Sequence, residues 1–162
     1  MHLDKGFADK MRVSGLIHDI GKIGVAEKIL NKAGSLSSEE RKTIEGHPEA
    51  GWRILSSTSE FSELAEYVRD HHEKWDGSGY PNQLKGEEIP LEARIIAVGD
   101  AYDVMTSERT YKKAFSEEEA IDELKRCSGT HFDRKIVEVF INKVLPDKSK
   151  LVVNNPYNYS RK

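Results

Sequence analysis

Apolar residues recur at helical spacing along most of the chain, and the alternation of apolar and polar residues typical of strands is nearly absent. The spacing predicts a first helix from about Asp9 to Ile20, which Gly21 and Gly24 interrupt. A later helix, predicted from Leu91 to Met105, places Asp100 on its apolar face. The pattern therefore predicts an all-α fold, a bundle of helices.

Capping residues and helix breakers predict the boundaries between these elements. Ser37 is followed three residues later by Glu40, a capping-box arrangement that predicts a helix start. Pro48 is expected to end this helix or to begin a new helical turn. A further helix is predicted over Phe61–His72, and the stretch Lys74–Gly86, rich in Gly, Pro, Asp and Asn, is predicted to be an ordered loop.

The C-terminal part of the chain is expected to complete one domain. Ser116 opens a second capping box, in a helix predicted to end near Gly129, and Asp133 is expected to cap the last helix. The polar sequence beyond it has no helical period. We therefore predict a single domain over residues 1–145 and a polar extension over residues 146–162.

Composition restricts the classes of function. The 162 residues include 25 basic and 28 acidic residues, a net charge of −3, so charge does not favour a nucleic acid polymer or an anionic membrane as partner. The single cysteine, Cys127, excludes an internal disulfide and fits a reducing compartment. No apolar run approaches the roughly 18 residues that span a bilayer, and the N-terminus lacks the apolar core of a signal peptide. A cytoplasmic location is expected.

Histidines and aspartates in four separate segments predict a metal centre. A neutral imidazole offers a metal one lone pair, and a carboxylate between two metals can bridge them. The candidate ligands are His18, Asp19, His47, His71, His72 and Asp100. Because the set contains no cysteine, a structural zinc site is disfavoured. A hydrolytic centre with more than one metal is expected, and the ligand set suits iron, manganese or another divalent ion, between which the spacing does not choose.

Each of these residues also has a simpler interpretation when it is taken alone. An ionised Asp100 on an apolar helix face costs several kcal/mol unless it is paired, and a buried salt bridge to a nearby basic residue would pair it. A single His-Asp or His-His doublet is more often a surface or capping feature than a ligand pair. The metal interpretation depends on the four segments occurring together.

The motifs that carry these residues resemble those of a known family. In order along the chain they read HDIGKIG, GHPEAG, HHEKWDGSGYP and IPLEARIIAVGDAYDVMTSERTYKKA. They resemble the successive signatures of the HD-GYP family, a branch of the HD phosphohydrolases, over roughly Ser14 to Leu145. The resemblance implies a bacterial phosphodiesterase that uses divalent metals to hydrolyse cyclic di-GMP to linear pGpG, GMP or both. Some members of the family are inactive and act through protein contacts.

The resemblance also implies roles for individual residues. All six candidate ligands match metal-binding positions, with Asp19 as the expected bridge and as a catalytic residue. Lys22 matches a catalytic lysine beside the scissile phosphate, although a solvated cation at a helix end is the simpler interpretation. Arg109 and Lys112 match residues that hold the phosphates of the ligand, or they belong to a plain surface cluster of charge. Tyr80 is a candidate substrate contact, or it packs the loop onto the bundle.

The sequence departs from the family pattern at its start. The family carries a further helix before the HD motif, with a histidine that also binds metal, and a truncated domain is therefore expected here. The site formed by Asp19, His47, His71 and His72 is complete, whereas its neighbour lacks an imidazole. Unequal metal affinity, weak activity and a homodimer that covers exposed apolar surface are expected.

Three functions remain open at this stage. The first is cyclic di-GMP hydrolysis, with a GGDEF-type cyclase or an upstream sensory or receiver domain as the expected partner. The second is a catalytically weak or inactive module that acts by protein contact. The third is an HD phosphohydrolase acting on another nucleotide, which the GYP loop disfavours.

Overall fold

The computed structural model describes residues 5–108 and 113–147. Within these ranges the chain forms helices and loops, and its only β-type pairing is an isolated bridge between Ser128 and Phe132. The α-helices are α1 (Lys5–Ile17), α2 (Glu27–Leu30), α3 (Ser38–Glu45), α4 (His47–Ser56), α5 (Ser62–Asp70), α6 (Leu91–Thr106), α7 (Glu117–Arg126) and α8 (Arg134–Val139). Shorter 3₁₀ turns cover Ile20–Gly24, Ser59–Phe61, Gly86–Glu88 and Leu145–Asp147, and a π-helical turn covers Phe140–Val144. The prediction of an all-α fold is confirmed.

The capping predictions are confirmed. Ser37 and Ser116 each accept a hydrogen bond from the backbone N–H three residues later, and the glutamate there bonds back to the cap. Asp133 caps α8 through the backbone N–H of Lys135, at 2.8 Å. Pro48 lies in the first turn of α4, where its missing N–H costs no helical bond.

Three predicted helix boundaries are wrong. The first helix runs from Lys5 to Ile17 rather than from Asp9 to Ile20, because the chain leaves it at the His-Asp doublet and enters a 3₁₀ turn. The predicted helix over Phe61–His72 covers Ser62–Asp70, so both histidines follow the helix. The helix after Ser116 ends at Arg126 and not near Gly129. At the first two of these ends the apolar spacing continues, whereas the backbone turns and brings His18, Asp19, His71 and His72 into one region.

The core lies in two regions that α6 connects. One cluster joins α6 to α7 and α8 and contains Val98, Leu124 and Val137. The other side of the bundle packs α5 against α1 and α4, around Val68 and Leu64. Within the two described ranges, no helix has the length and apolar character that crossing a bilayer requires.

Candidate metal centre

The structure brings the four predicted ligand segments to one place in the bundle. His18 and Asp19 lie between α1 and the 3₁₀ turn, His47 begins α4, and His71 and His72 follow α5. One donor atom each of Asp19, His47, His71 and His72 lies within 4.8 Å of the others. Asp100 comes from the middle of α6, and its Oδ1 lies 3.5 Å from Nε2 of His18. All six candidate ligands are therefore neighbours.

Asp19 occupies the centre of this group, with its two oxygens directed to different neighbours. Oδ1 lies 3.2 Å from Nε2 of His47, whereas Oδ2 lies 3.6 Å from Nε2 of His18. Oδ2 also accepts a hydrogen bond from Nζ of Lys22 at 2.6 Å. The two oxygens of Asp19 therefore face different imidazoles, Oδ1 that of His47 and Oδ2 that of His18.

Three of the histidines are oriented by backbone carbonyls. The Nδ1 atom of each lies within hydrogen-bond distance of the carbonyl three residues earlier. The pairs are His18 with Gly15 at 2.7 Å, His47 with Ile44 at 2.6 Å and His71 with Val68 at 2.6 Å. Because a carbonyl oxygen only accepts, Nδ1 carries the proton and Nε2 keeps its lone pair. This is the arrangement by which an outer carbonyl fixes the tautomer of a ligating histidine.

The atoms that face inward fit a bound cation. Nε2 of His18, His47 and His71 and Oδ1 of Asp19 are buried and have no hydrogen-bond partner among the described residues. Leaving a buried polar atom unpaired costs about 1–3 kcal/mol, so neighbouring unpaired acceptors of this kind need a cationic partner. A divalent metal ion accepts lone pairs from imidazole and carboxylate alike, and the donor set therefore fits one.

The protonation of the site favours metal binding. Burial lowers the pKa of His71 to about 4 and that of His72 to about 3, so both rings are neutral at pH 7. Burial alone would raise the pKa of Asp19, but the close approach of His47 and the hydrogen bond from Lys22 outweigh burial and hold that pKa well below its usual range. Asp100 is also held ionised, because His18 offsets the effect of burial on its pKa.

The simpler interpretation of Asp100 finds no support in the described part of the chain. No lysine or arginine there pairs with it, and its partner within ion-pair distance is the imidazole of His18, at 3.5 Å. Lys22 is not merely a solvated cation, since its ammonium is bound to Asp19. Arg109 and Lys112, predicted to hold phosphates, lie outside the described residues.

Tyr80 lies against the metal-facing histidines. Its ring stacks on that of His72, with centroids 5.0 Å apart and an interplanar angle of 30°. Burial raises the pKa of the Tyr80 hydroxyl to about 12. The packing alternative for Tyr80 is thus realised, and the contact that it makes is with a candidate ligand.

Two cavities adjoin the site. One, of about 480 Å³, lies between α1 and α6 and reaches His18 and Asp100. The other, of about 180 Å³, is lined by His71, His72 and Asp100 together with His131. Together the two cavities reach four of the six candidate ligands, namely His18, His71, His72 and Asp100.

Sequence reasoning missed the residues that support the ligands. The carbonyls that orient the histidines carry no side-chain signal. Gly21 packs so tightly against α4 that a Cβ on it would lie 1.9 Å from the His47 carbonyl oxygen, and only its place in HDIGK marked it. Asn82, within the predicted loop, bonds to Glu73 at 2.6 Å and to Asp70 at 2.9 Å, and no pattern in the sequence indicates either bond.

Comparison with known proteins agrees with this geometry. The family model described as HD domain matches residues 1–136. A cyclic di-GMP phosphodiesterase of Thermotoga maritima is 43% identical over 143 residues, covering 87% of this chain and 39% of that protein. A cyclic di-GMP phosphodiesterase of Vibrio cholerae is 41% identical over 146 residues, covering 86% of this chain and 30% of that protein. The chain belongs to the HD domain family, and the resemblance to its HD-GYP branch is confirmed.

Other relatives carry a different substrate in their names. The 3'3'-cGAMP-specific phosphodiesterase 2 of V. cholerae is 39% identical over 136 residues, covering 83% of this chain and 26% of that protein. The crystal structure of a cyclic GMP-AMP specific phosphodiesterase from V. cholerae matches with a TM-score of 0.64 and 25% identity, covering 93% of this chain and 41% of that one. The chain thus spans less than half the length of each of these relatives.

Proposed function

We propose that this chain is a metal-dependent phosphodiesterase domain that hydrolyses cyclic di-GMP to linear pGpG, GMP or both. The observation that carries the proposal is the set of buried, unpaired imidazole nitrogens and carboxylate oxygen facing one point. Relatives named cyclic di-GMP phosphodiesterases support the choice of substrate.

We assign the six candidate ligands to two divalent ions, with iron or manganese favoured. Asp19, His47, His71 and His72 would hold the first ion. His18, Asp19 and Asp100 would hold the second, with Asp19 bridging the two through its separate oxygens. Bound ions would lower the pKa of water to supply hydroxide near neutral pH and would neutralise phosphate oxygens. The first set has four donors and the second three, so we expect tighter binding at the first.

The charged side chains around the metals would act on the phosphate. We propose that Lys22, through its hydrogen bond, orients Asp19 before substrate binds. Its ammonium would then stabilise the negative charge that develops on the phosphate or protonate the leaving 3′ oxygen. Arg109 and Lys112 are proposed to hold the phosphates of the ligand, and Tyr80 to border the substrate.

The test is hydrolysis of cyclic di-GMP by anaerobically purified protein supplied with manganese or ferrous iron, with metal content measured on the same sample. We expect turnover in the wild type and none in Asp19→Ala. Bound metal without turnover in the wild type would contradict the proposal and favour a module that acts by protein contact.

A second substrate is a specific alternative. Relatives named 3'3'-cGAMP-specific phosphodiesterases match at 39% identity, close to the values for the relatives named for cyclic di-GMP. Both substrates contain a 3′,5′-phosphodiester, which the metal centre would contact in the same way. The metal centre alone therefore does not distinguish between the two substrates. Parallel hydrolysis of cyclic di-GMP, 3'3'-cGAMP and a linear dinucleotide would decide, and we expect the highest kcat/KM for cyclic di-GMP.

Partners and assembly stay predictions. A GGDEF-type cyclase and an upstream sensory or receiver module are expected from the resemblance alone. Exposed Leu16 and Ile23, at 79% and 81% exposure, support the expectation of a homodimer. Light scattering of the wild type beside Leu16→Glu would test it, since loss of a dimer in the variant is expected.

A further inference from the structure

His72 differs from the other three histidines of the centre in how its ring is held. His18, His47 and His71 each have Nδ1 bound to a backbone carbonyl. The ring of His72 makes no hydrogen bond within the described part of the chain, and its neighbours are other rings. Tyr80 stacks on it at an interplanar angle of 30°, and His47 meets it edge-on at 5.0 Å. The ring of His71 lies tilted beside it, with centroids 4.0 Å apart. An imidazole without an outer hydrogen bond needs another contact to fix its orientation toward a metal.

The position of Tyr80 is in turn fixed by its own loop. Its backbone N–H bonds to the carbonyl of His72 at 3.4 Å. Gly79 allows this approach, because a Cβ on it would lie 2.3 Å from the backbone nitrogen of Lys74. The loop therefore returns directly onto the segment that carries the histidine pair.

A buried carboxylate binds the part of the same loop that follows Tyr80. Glu73 is only 4% exposed, and its Oε1 accepts the backbone N–H of Asn82 at 2.6 Å. The next residue, Gln83, adopts a left-handed backbone conformation, with φ of 57°.

A second acid completes the clamp. Asp70, 2% exposed, accepts a hydrogen bond from the Asn82 side chain at 2.9 Å. Asp70 and Glu73 flank the histidine pair in sequence, so the two acids and the two histidines belong to one short segment. This segment therefore carries two candidate metal ligands, His71 and His72, and its two acids bind the loop that contains Tyr80.

We propose that Tyr80 is a positioning residue that orients His72 for metal binding, and that Glu73 and Asp70 hold Tyr80 in place through Asn82. The inference rests on the metal centre proposed above. In this role Tyr80 acts on His72 and does not need to contact the substrate. It also gives a reason for placing two buried carboxylates beside metal-facing histidines.

The test is Mn²⁺ titration of metal-depleted protein by calorimetry, which needs no turnover. Tyr80→Leu should weaken binding by about tenfold, the range typical for loss of an outer contact to a ligand, and Tyr80→Phe by less than about twofold. Glu73→Ala should approach the loss in Tyr80→Leu, with Glu73→Gln partly restoring affinity. Asp76→Asn is the matched control, since this exposed carboxylate also accepts a loop N–H, from Ser78 at 2.9 Å.

A double-mutant cycle separates positioning from general structural damage. In the His72→Ala background, Tyr80→Leu should have no further effect on Mn²⁺ affinity, because the ring that it orients is gone. If Tyr80→Leu fails to fold, Asn82→Ala replaces it, with an expected loss of about threefold.

The outcomes distinguish the two proposals. Wild-type protein that binds no Mn²⁺ would overturn the metal centre itself. A wild type that binds Mn²⁺ and a folded Tyr80→Leu of equal affinity would overturn only the positioning role. A loss of affinity that is the same with and without His72 would also overturn it.

Discussion

Oδ1 of Asp19 lies 3.2 Å from Nε2 of His47, and neither atom has a hydrogen-bond partner within residues 5–108 and 113–147. The Nδ1 proton of His47 is committed to the carbonyl of Ile44, so Nε2 presents a lone pair to a carboxylate that also presents lone pairs. Two acceptors held this close repel each other unless a cation lies between or beside them. The first prediction follows from this contact.

Asp19→Asn keeps the shape of the side chain and removes its charge. We expect it to lower bound metal and to reduce hydrolysis by more than about 100-fold, because both proposed ions lose a ligand. Metal content by mass spectrometry and initial rates measure the two effects. Asp122→Asn is the control, since this carboxylate is 79% exposed on α7. Full metal content in Asp19→Asn would refute the bridging role.

Lys22 offers a way to separate chemistry from metal binding. Lys22→Gln should lower kcat by about 10²–10³-fold, because the ammonium that would meet the phosphate or the leaving oxygen is lost. Metal content should change little, since Lys22 contacts only one oxygen of Asp19. Lys28→Gln on the short helix α2 serves as the control. An unchanged kcat in Lys22→Gln would remove it from the catalytic scheme.

His72 and His131 line the same cavity but differ in role. His72→Ala should sharply lower metal content, by about tenfold or more in affinity, whereas His131→Ala should leave it unchanged. Metal analysis after dialysis against dilute Mn²⁺ gives the comparison. Equal losses in both variants would mean that the ligand assignment is wrong.

Gly21 and Gly24 provide a matched pair in the HDIGKIG stretch. A Cβ on Gly21 would lie 1.9 Å from the His47 carbonyl and 2.5 Å from the backbone nitrogen of Gly51, whereas nothing lies within 4 Å of one on Gly24. Gly21→Ala should therefore destabilise the protein by about 2–3 kcal/mol and weaken metal binding, because α4 must shift. Gly24→Ala should do neither. Urea unfolding would measure the free energy of unfolding of both variants, and equal values would contradict the packing argument.

The metal-free protein should lose stability as the pH falls. His71 has a folded pKa of about 4, below the unfolded value of 6.5, so between these values the unfolded chain binds more protons. Its contribution is complete above pH 6.5 and falls as the pH drops toward 4. About 2 kcal/mol should be lost for this group between pH 7.5 and pH 5. Urea unfolding of protein in EDTA would show it, and His71→Ala should have a shallower pH slope. Equal slopes would contradict the assigned pKa.

Local sequence determined most of the helix starts and the chemistry of the site. Ser37, Ser116 and Asp133 cap their helices through bonds that span two or three residues, so their neighbours in sequence suffice to predict them. The ligand types followed from the motifs in the same way. Helix ends were predicted less well, because apolar spacing continues through His18 and His72 although the backbone has already turned.

Only the tertiary structure decided how the ligands are oriented and supported. The Nδ1 bond of each anchored histidine is local in sequence but forms only when the helix end has its folded shape. The clamp of Glu73 and Asp70 on Asn82 spans nine and twelve residues through a loop whose path no period predicts. The approach of Asp19 to His47 joins different elements. Sequence alone thus determined the types of ligand and the helix caps. The packing of the chain decided which ligand atoms face one another, because the distances between them depend on contacts between residues far apart in the chain.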